Sequence, residues 1–413
     1  METNIRIFPP KNGLQGHLVL SGSKSISNRA LLILELIGAN PGLYLQRISD
    51  AEDTRILQRL LADKQTMHYD AGDAGTVFRF MTAFLALQPE EQVLTGSERM
   101  LLRPIGPLVD ALRHLGAEIT YLGKTGFPPL KIGDGWQLGL HRNQVRVPAG
   151  ISSQFLSALA IIGPVLPHGL VLHPDGPVVS RPYLDMTLEL MRHMGADWEW
   201  VEGVLHIATG SYRPGVLRVE ADWSAASYWY AMATLCSPVD LLLEGLYADS
   251  WQGDARIAVL AQRFGVQTTF ETAGIRLTRN DTAPPAIFEF DFTDCPDLFP
   301  AVSVLCGGLG VRGLFSGLAS LRIKESDRIL ALQTELSKVG VQLTPKPASD
   351  PGSFVQEGKA KWTLPPVFDA WNDHRIAMAT ATLGMLGEVQ VNTPEVVAKS
   401  YPHFWKDLRS IGA

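Results

Sequence analysis

Six times along this chain a helical pattern ends in an apolar residue, a pivot follows, and a strand pattern begins. The pivots are Gly116, Gly195, Gly265, Gly340 and Gly412, after stretches that open near residues 111, 190, 261, 336 and 408; a degraded copy over 57–62 ends on Ala62. They recur roughly 70 residues apart, as copies of one supersecondary unit would. A glycine at such a joint predicts a residue in the left-handed conformation just past a helix end. Helix–glycine–strand joints occur in any α/β fold, but five glycine-bearing copies at this spacing favour internal pseudo-symmetry. The expectation is an α/β protein built from six similar units.

The stretches 25–38, 153–162 and 225–235 are apolar on nearly every side. Helices without a polar face belong in an interior. A doubly wound sheet would show the reverse, apolar strands flanked by one-sided helices, so helices inside and sheets outside are expected. With 413 residues the chain exceeds the roughly 250–300 at which single cores stop growing, which predicts two domains of similar size. Hydrophobic residues at 46% against 19% charged exclude disorder as the main state.

Partners and compartment follow from what is sparse. A formal charge of −6 without a long basic run argues against nucleic acid. The cysteines, Cys236, Cys295 and Cys306, form no C-x-x-C and no even framework, as in a reducing, cytoplasmic compartment. The ten histidines show no zinc spacing, so no metal and no cofactor are expected. Residues 1–16 carry no leader pattern, and the apolar run 155–167 is too short for a span of about 20 residues, so no membrane is expected either.

The polar clusters share one placement, the loop that opens an apolar helix. The first runs Ser21-Gly22-Ser23-Lys24-Ser25-Ile26-Ser27-Asn28-Arg29. Helix N–H groups, a hydroxyl, an ammonium and a guanidinium together suit a phosphate or carboxylate; the ordinary alternative is a capped helix with solvated charges. Ser23 before Lys24 rules out a Walker A loop. Others are Asp73-Ala74-Gly75-Thr76 with Arg79, Arg103-Pro104-Ile105-Gly106, Ser152-Ser153-Gln154 and Ser180-Arg181-Pro182. Singly, each is more often a cap or a turn.

In the C-terminal half, Arg322-Ile323-Lys324-Glu325-Ser326-Asp327-Arg328 packs five charges into seven residues. Asp297 opens an apolar helix, Asn372-Asp373-His374-Arg375 opens another, and Lys399 stands before Ser400-Tyr401-Pro402. A solvated charge run fits poorly where the flanks are apolar. The G-x-G-x-x-G at Gly308–Gly313 has a helix pattern before it and a strand pattern after it, the reverse of a dinucleotide fingerprint, so it is read as a turn and no NAD is expected.

Together, Gly22-Ser23-Lys24-Ser25 with Asn28-Arg29, Ala74-Gly75-Thr76 with Arg79, Lys324-Glu325-Ser326-Asp327-Arg328 and Asn372-Asp373-His374-Arg375 resemble the 3-phosphoshikimate 1-carboxyvinyltransferase (5-enolpyruvylshikimate-3-phosphate synthase) family from about Ile7 to the C-terminus. The resemblance implies a two-domain inside-out α/β barrel of βαβαββ repeats, three per domain. One domain would span 22–223, and the other 1–21 with 224–413. It implies transfer of the enolpyruvyl group of phosphoenolpyruvate to the 5-hydroxyl of shikimate 3-phosphate, by a monomer. Residues matching Lys24, Ser25, Arg29, Ser152, Ser153, Ser180, Asp297, Ser320 and Lys324 would hold shikimate 3-phosphate. Those matching Lys24, Gly75, Arg103, Gln154, Arg328, Arg375 and Lys399 would hold phosphoenolpyruvate. Asp297 would be the base at the hydroxyl, Glu325 and Lys24 would lie near C3, and His374 joins the catalytic set. Cations divided between two domains are expected to repel until anionic substrates arrive.

Asp73 stands where the family usually has Asn, Phe80 where it has Pro and Ser320 where it has Asn. If the amide donor is used there, Asp73 would repel the ligand; if only the carbonyl is used, it serves. The sister family that transfers enolpyruvyl to UDP-N-acetylglucosamine lacks the Lys24–Arg29 and Lys324–Arg328 patterns. It normally carries a loop cysteine, whereas the first cysteine here is Cys236. A non-catalytic anion binder would have no need of Asp297, Glu325 and Lys24 together.

Overall fold

The repeat is clearest in one four-stranded sheet. Strand His68–Asp70 is followed by helix Gly75–Leu85, strand Gln92–Thr95, helix Gly106–Leu115 and the strands Ile119–Tyr121 and Leu130–Ile132. The first two strands run parallel (His68 opposite Val93), and the last lies antiparallel to both the second and the third (Ile132 opposite Gln92 and Ile119). The same order recurs from Gln144–Pro148 to Val204–Ile207, and from Ile287–Asp291 to Phe354–Glu357. The computed structural model describes residues 4–63, 65–133, 137–150, 152–346 and 351–412. Residues 1–3 of the expected second domain and Ala413 of the last repeat lie outside them.

The chain divides into two units, one contiguous over Ser23–Val219 and one joining Met1–Gly22 to Glu220–Ala413. Among the described residues each holds three sheets. In the discontinuous unit, strand Leu14–Val19 belongs to a repeat that resumes about 200 residues later with helix Trp223–Leu235 and strand Val239–Glu244, which pairs parallel to it. Strand Asn4–Ile7 completes the last repeat by pairing antiparallel with Val389–Asn392. In the contiguous unit one sheet shrinks to Leu45–Gln46 beside Leu217–Arg218. That is the degraded copy, with helix Glu52–Ala62 and no glycine at its end.

Burial explains the layering. Helix Trp223–Leu235 is buried at every residue except Ser224, and helix Ser153–Ile162 at every residue except Gln154. No face of either could meet water without exposing apolar surface. The strands alternate, as Gln144–Pro148 does with Val145 and Val147 inward, so the sheets keep one wet face. The five glycine pivots have φ of 114°, 81°, 90°, 82° and 88° at 116, 195, 265, 340 and 412. Gly308 lies in the last turn of helix Phe299–Leu309, Gly310 follows its end in the left-handed conformation and Gly313 lies in strand Arg312–Ser316, so that glycine run is a helix-to-strand joint as read from the sequence.

Because the first two strands of a repeat are parallel, both helices that follow them begin at the same sheet edge. Every polar cluster singled out above lies at or beside such a helix start. Among the described residues no helix is long and apolar enough to cross a membrane, and the three cysteines are free and buried.

Candidate active site

In the contiguous unit the cluster begins at helix Lys24–Leu36, whose N-cap is Ser23. Lys24 Nζ meets Asp53 Oδ2 at 2.8 Å, and Asp53 stands in the first turn of helix Glu52–Ala62. Gly75 lies under the Arg103 guanidinium: a Cβ there would come 2.5 Å from Nη1. Arg79 braces this pair, donating to the carbonyls of Gly75 (3.3 Å) and Pro104 (3.0 Å). Gln154 Nε2 reaches Thr76 Oγ1 at 3.1 Å, and Ser152 Oγ caps the Gln154 N–H at 3.3 Å. Ser153 is buried beside them. Ser180 sits in the left-handed region at φ 57°, and its hydroxyl does not cap the helix it precedes. Such a backbone persists only where its surroundings hold it.

Two of the departures from the family pattern have structural accounts. Asp73 Oδ1 accepts the Ser97 hydroxyl, so this side chain serves as an acceptor. Phe80 gives Arg29 a ring face at 5.1 Å. Arg29 is 2% exposed and donates to Thr187 Oγ1 (2.6 Å) and to the carbonyls of Ser25 (2.9 Å) and Tyr183 (3.4 Å). Burial lowers its pKa to about 10. Its contacts tie two helices together.

The discontinuous unit carries the denser cluster. Asp297 lies between two guanidiniums, 3.0 Å from Arg328 Nη1 through Oδ1 and 2.7 Å from Arg375 Nη2 through Oδ2. Arg328 also meets Asp373 Oδ2 at 2.8 Å and Glu325 Oε2 at 2.7 Å. Lys399 Nζ is 4.0 Å from Glu325 Oε1. Asp373, wholly buried, caps helix His374–Ala381 by accepting the Arg375 N–H at 2.9 Å. The His374 ring is 2% exposed, with Nδ1 3.9 Å from Asp373 Oδ1. The Ser320 hydroxyl lies buried in the turn Ala319–Ile323, without a hydrogen-bond partner among the described residues.

The electrostatics follow from these contacts. Burial pushes the Asp297 carboxyl up, but Arg375, Lys324 and Arg328 together outweigh it and hold the group well below the usual carboxylate range. Asp254 moves the other way: burial, then the charge of Asp297, raise it to about 6. Lys324, Arg328, Arg375 and Lys399 are interleaved with Asp254, Asp297, Glu325 and Asp373, so the formal charges balance.

Sequence reasoning missed Asp53 and Asp254. Both stand at the start of the second helix of a repeat, where Arg103, Ser180 and Arg328 also stand. Superposing the repeats position by position would have found them. Among the described residues no His, Cys, Asp and Glu group is placed to hold a metal ion.

Known proteins bear out the resemblance. The family profile for EPSP synthase (3-phosphoshikimate 1-carboxyvinyltransferase) matches residues 42–408. A 3-phosphoshikimate 1-carboxyvinyltransferase of Bacteroides fragilis is 42% identical over 401 residues, covering 97% of this chain and 96% of that protein. One from Escherichia coli O6:H1 is 33% identical, covering 96% of each. The solved EPSP synthase of Acinetobacter baumannii shares the fold at TM-score 0.75 and 22% identity, over 99% of this chain and 98% of that one. The enolpyruvyl transferase NikO of Streptomyces tendae does so at TM-score 0.71 and 16% identity, over 100% and 98%. With interior helices, six repeated sheets and charged helix starts in place, the chain belongs to the EPSP synthase (3-phosphoshikimate 1-carboxyvinyltransferase) family.

Proposed function

We propose that this chain transfers the enolpyruvyl group of phosphoenolpyruvate to the 5-hydroxyl of shikimate 3-phosphate, releasing phosphate, in the shikimate pathway of aromatic amino acid biosynthesis. The observation that carries the residue assignment is Asp297 held ionised between Arg328 and Arg375. A carboxylate so strongly stabilised is a poor base. When the carboxylate of phosphoenolpyruvate takes over those two guanidiniums, Asp297 loses its compensation and its affinity for a proton rises. The base at the 5-hydroxyl is thereby switched on by the second substrate.

In this reading Lys24, Gly75, Arg103 and Gln154 receive the phosphate of phosphoenolpyruvate, and Arg328, Arg375 and Lys399 its carboxylate. Ser25, Arg29, Ser152, Ser153, Ser180, Ser320 and Lys324 serve shikimate 3-phosphate, with Asp297 at its hydroxyl. With no side chain of its own, Gly75 lets the Arg103 guanidinium lie against its backbone, where both can face one phosphate. Glu325, between Arg328 and Lys399, and Lys24 exchange the proton at C3. His374 enters as the buried neighbour of Asp373. The enzyme works as a monomer in the cytoplasm, a compartment in keeping with its free, buried cysteines.

The test is phosphate release from phosphoenolpyruvate, with chelator present, on mixing with either acceptor. Shikimate 3-phosphate should support release and UDP-N-acetylglucosamine should not; the converse result, or none with either, overturns the reading. Asp297→Asn should slow release by about 10²–10⁴-fold.

A further inference from the structure

Helix Arg328–Ser337 grips the loop leading into Asp373 and Arg375 at two places. At its start Arg328 Nε and Ser326 Oγ donate to Asp373 Oδ2 at 2.8 and 3.0 Å. Two turns on, about 10 Å along the axis, Glu335 takes hold of the same loop. Its Oε1 accepts the Trp371 indole N–H at 2.8 Å and its Oε2 the Asp369 backbone N–H at 2.9 Å. Lys338 Nζ supplies the counter-charge at 2.5 Å. Glu335 is 1% exposed, so this is a buried carboxylate devoted to one loop.

That loop needs holding. Trp371 and Asn372 have φ of 54° and 50°, two successive residues with side chains in the left-handed region. A bulky residue there is an outlier that survives only when its surroundings over-determine it. Asp369 fixes the backbone side by accepting the Trp371 N–H at 2.8 Å, and Glu335 fixes the ring side. The turn sets where helix His374–Ala381 begins, and with it the direction of Arg375, whose Nη2 reaches Asp297.

We propose that Glu335, acting through Trp371, is a positioning residue for phosphoenolpyruvate binding: it locks the left-handed turn that aims Arg375. This rests on the assignment of Arg375 to phosphoenolpyruvate given above. Glu335→Gln keeps the shape but turns an amide donor toward groups that are themselves donors. It should raise the KM for phosphoenolpyruvate about tenfold, the size expected for one buried charged hydrogen bond, with the KM for shikimate 3-phosphate unchanged. Trp371→Phe removes a single donor and should give a smaller rise in the same KM. The double variant should be no worse than Glu335→Gln alone, because both act through one contact. A purely structural role would lower the melting midpoint and leave the two KM values unchanged or moving together, and that result overturns the proposal. Should Glu335→Gln fail to fold, Trp371→Phe decides alone. Arg375→Lys, run alongside, separates the two readings. If it leaves the KM for phosphoenolpyruvate unchanged, the assignment of Arg375 falls and the proposal with it. If it raises that KM while the other variants do not, only the role of Glu335 falls.

Discussion

Two buried aspartates show how local surroundings divide one chemistry into two behaviours. Asp297 has two guanidiniums on its oxygens; Asp254 has the Ser224 hydroxyl and the charge of Asp297. Burial raises both; at Asp254 it prevails, whereas at Asp297 the surrounding cations outweigh it. A rise for Asp254 from 3.8 to about 6 means that the folded chain binds this proton more tightly than the unfolded chain. The stability it contributes is complete below the lower value and is lost as pH climbs through the higher, by about 3 kcal/mol at most. Asp254→Asn is neutral throughout and still offers Ser224 an acceptor. Its melting midpoint should therefore gain on that of the parent as pH rises from about 4 to about 7. A difference that stays constant over that interval would remove the assignment. The cations of the site were legible because charge at the head of an apolar helix is unusual. Asp254 was not, because a lone Asp after Gln252-Gly253 reads as an ordinary cap and its perturbing neighbours are remote in sequence.

The glycine joints were readable for a similar reason of locality: the left-handed residue past a helix end is demanded by the helix itself, whatever it packs against. They are not equivalent, however. At Gly340 a Cβ would meet only the Lys359 carbonyl oxygen at 3.9 Å, so Gly340→Ala carries the backbone cost alone, about 1–2 kcal/mol. At Gly116 it would lie 2.8 Å from the Gln137 carbonyl oxygen, so Gly116→Ala adds a collision to that cost. Denaturant titration should rank Gly116→Ala as clearly the more damaging; equal losses would mean that the joints yield more easily than their geometry implies. Strand partners were not readable in this way. Nothing in Asn4–Ile7 names Val389–Asn392 as its neighbour, because pairing is settled by topology over hundreds of residues. The degraded copy was legible only through its second helix, Glu52–Ala62; its strands, two residues long, carry no pattern to read.

One unit is an uninterrupted segment, Ser23–Val219, while the other draws a strand for each of two of its three sheets from the first 22 residues. Residues 23–219 expressed alone should give a cooperative thermal transition by circular dichroism. Residues 220–413 alone should not, lacking Leu14–Val19 and Asn4–Ile7, and a peptide of residues 1–22 should restore the transition. Folding of 220–413 without that peptide would show that the two strands are dispensable. The same arrangement has a consequence during biosynthesis. Ile5 leaves the ribosome long before Val391, the residue it will face, and at about 5–20 residues per second the delay is roughly 20–80 s. Throughout that interval an inserted body can finish folding while the opening segment waits without its partners, an orphaned edge exposed to capture by other chains. Late pairing of this kind makes the final stretch of translation the moment when the molecule is most open to chaperones and to misassembly.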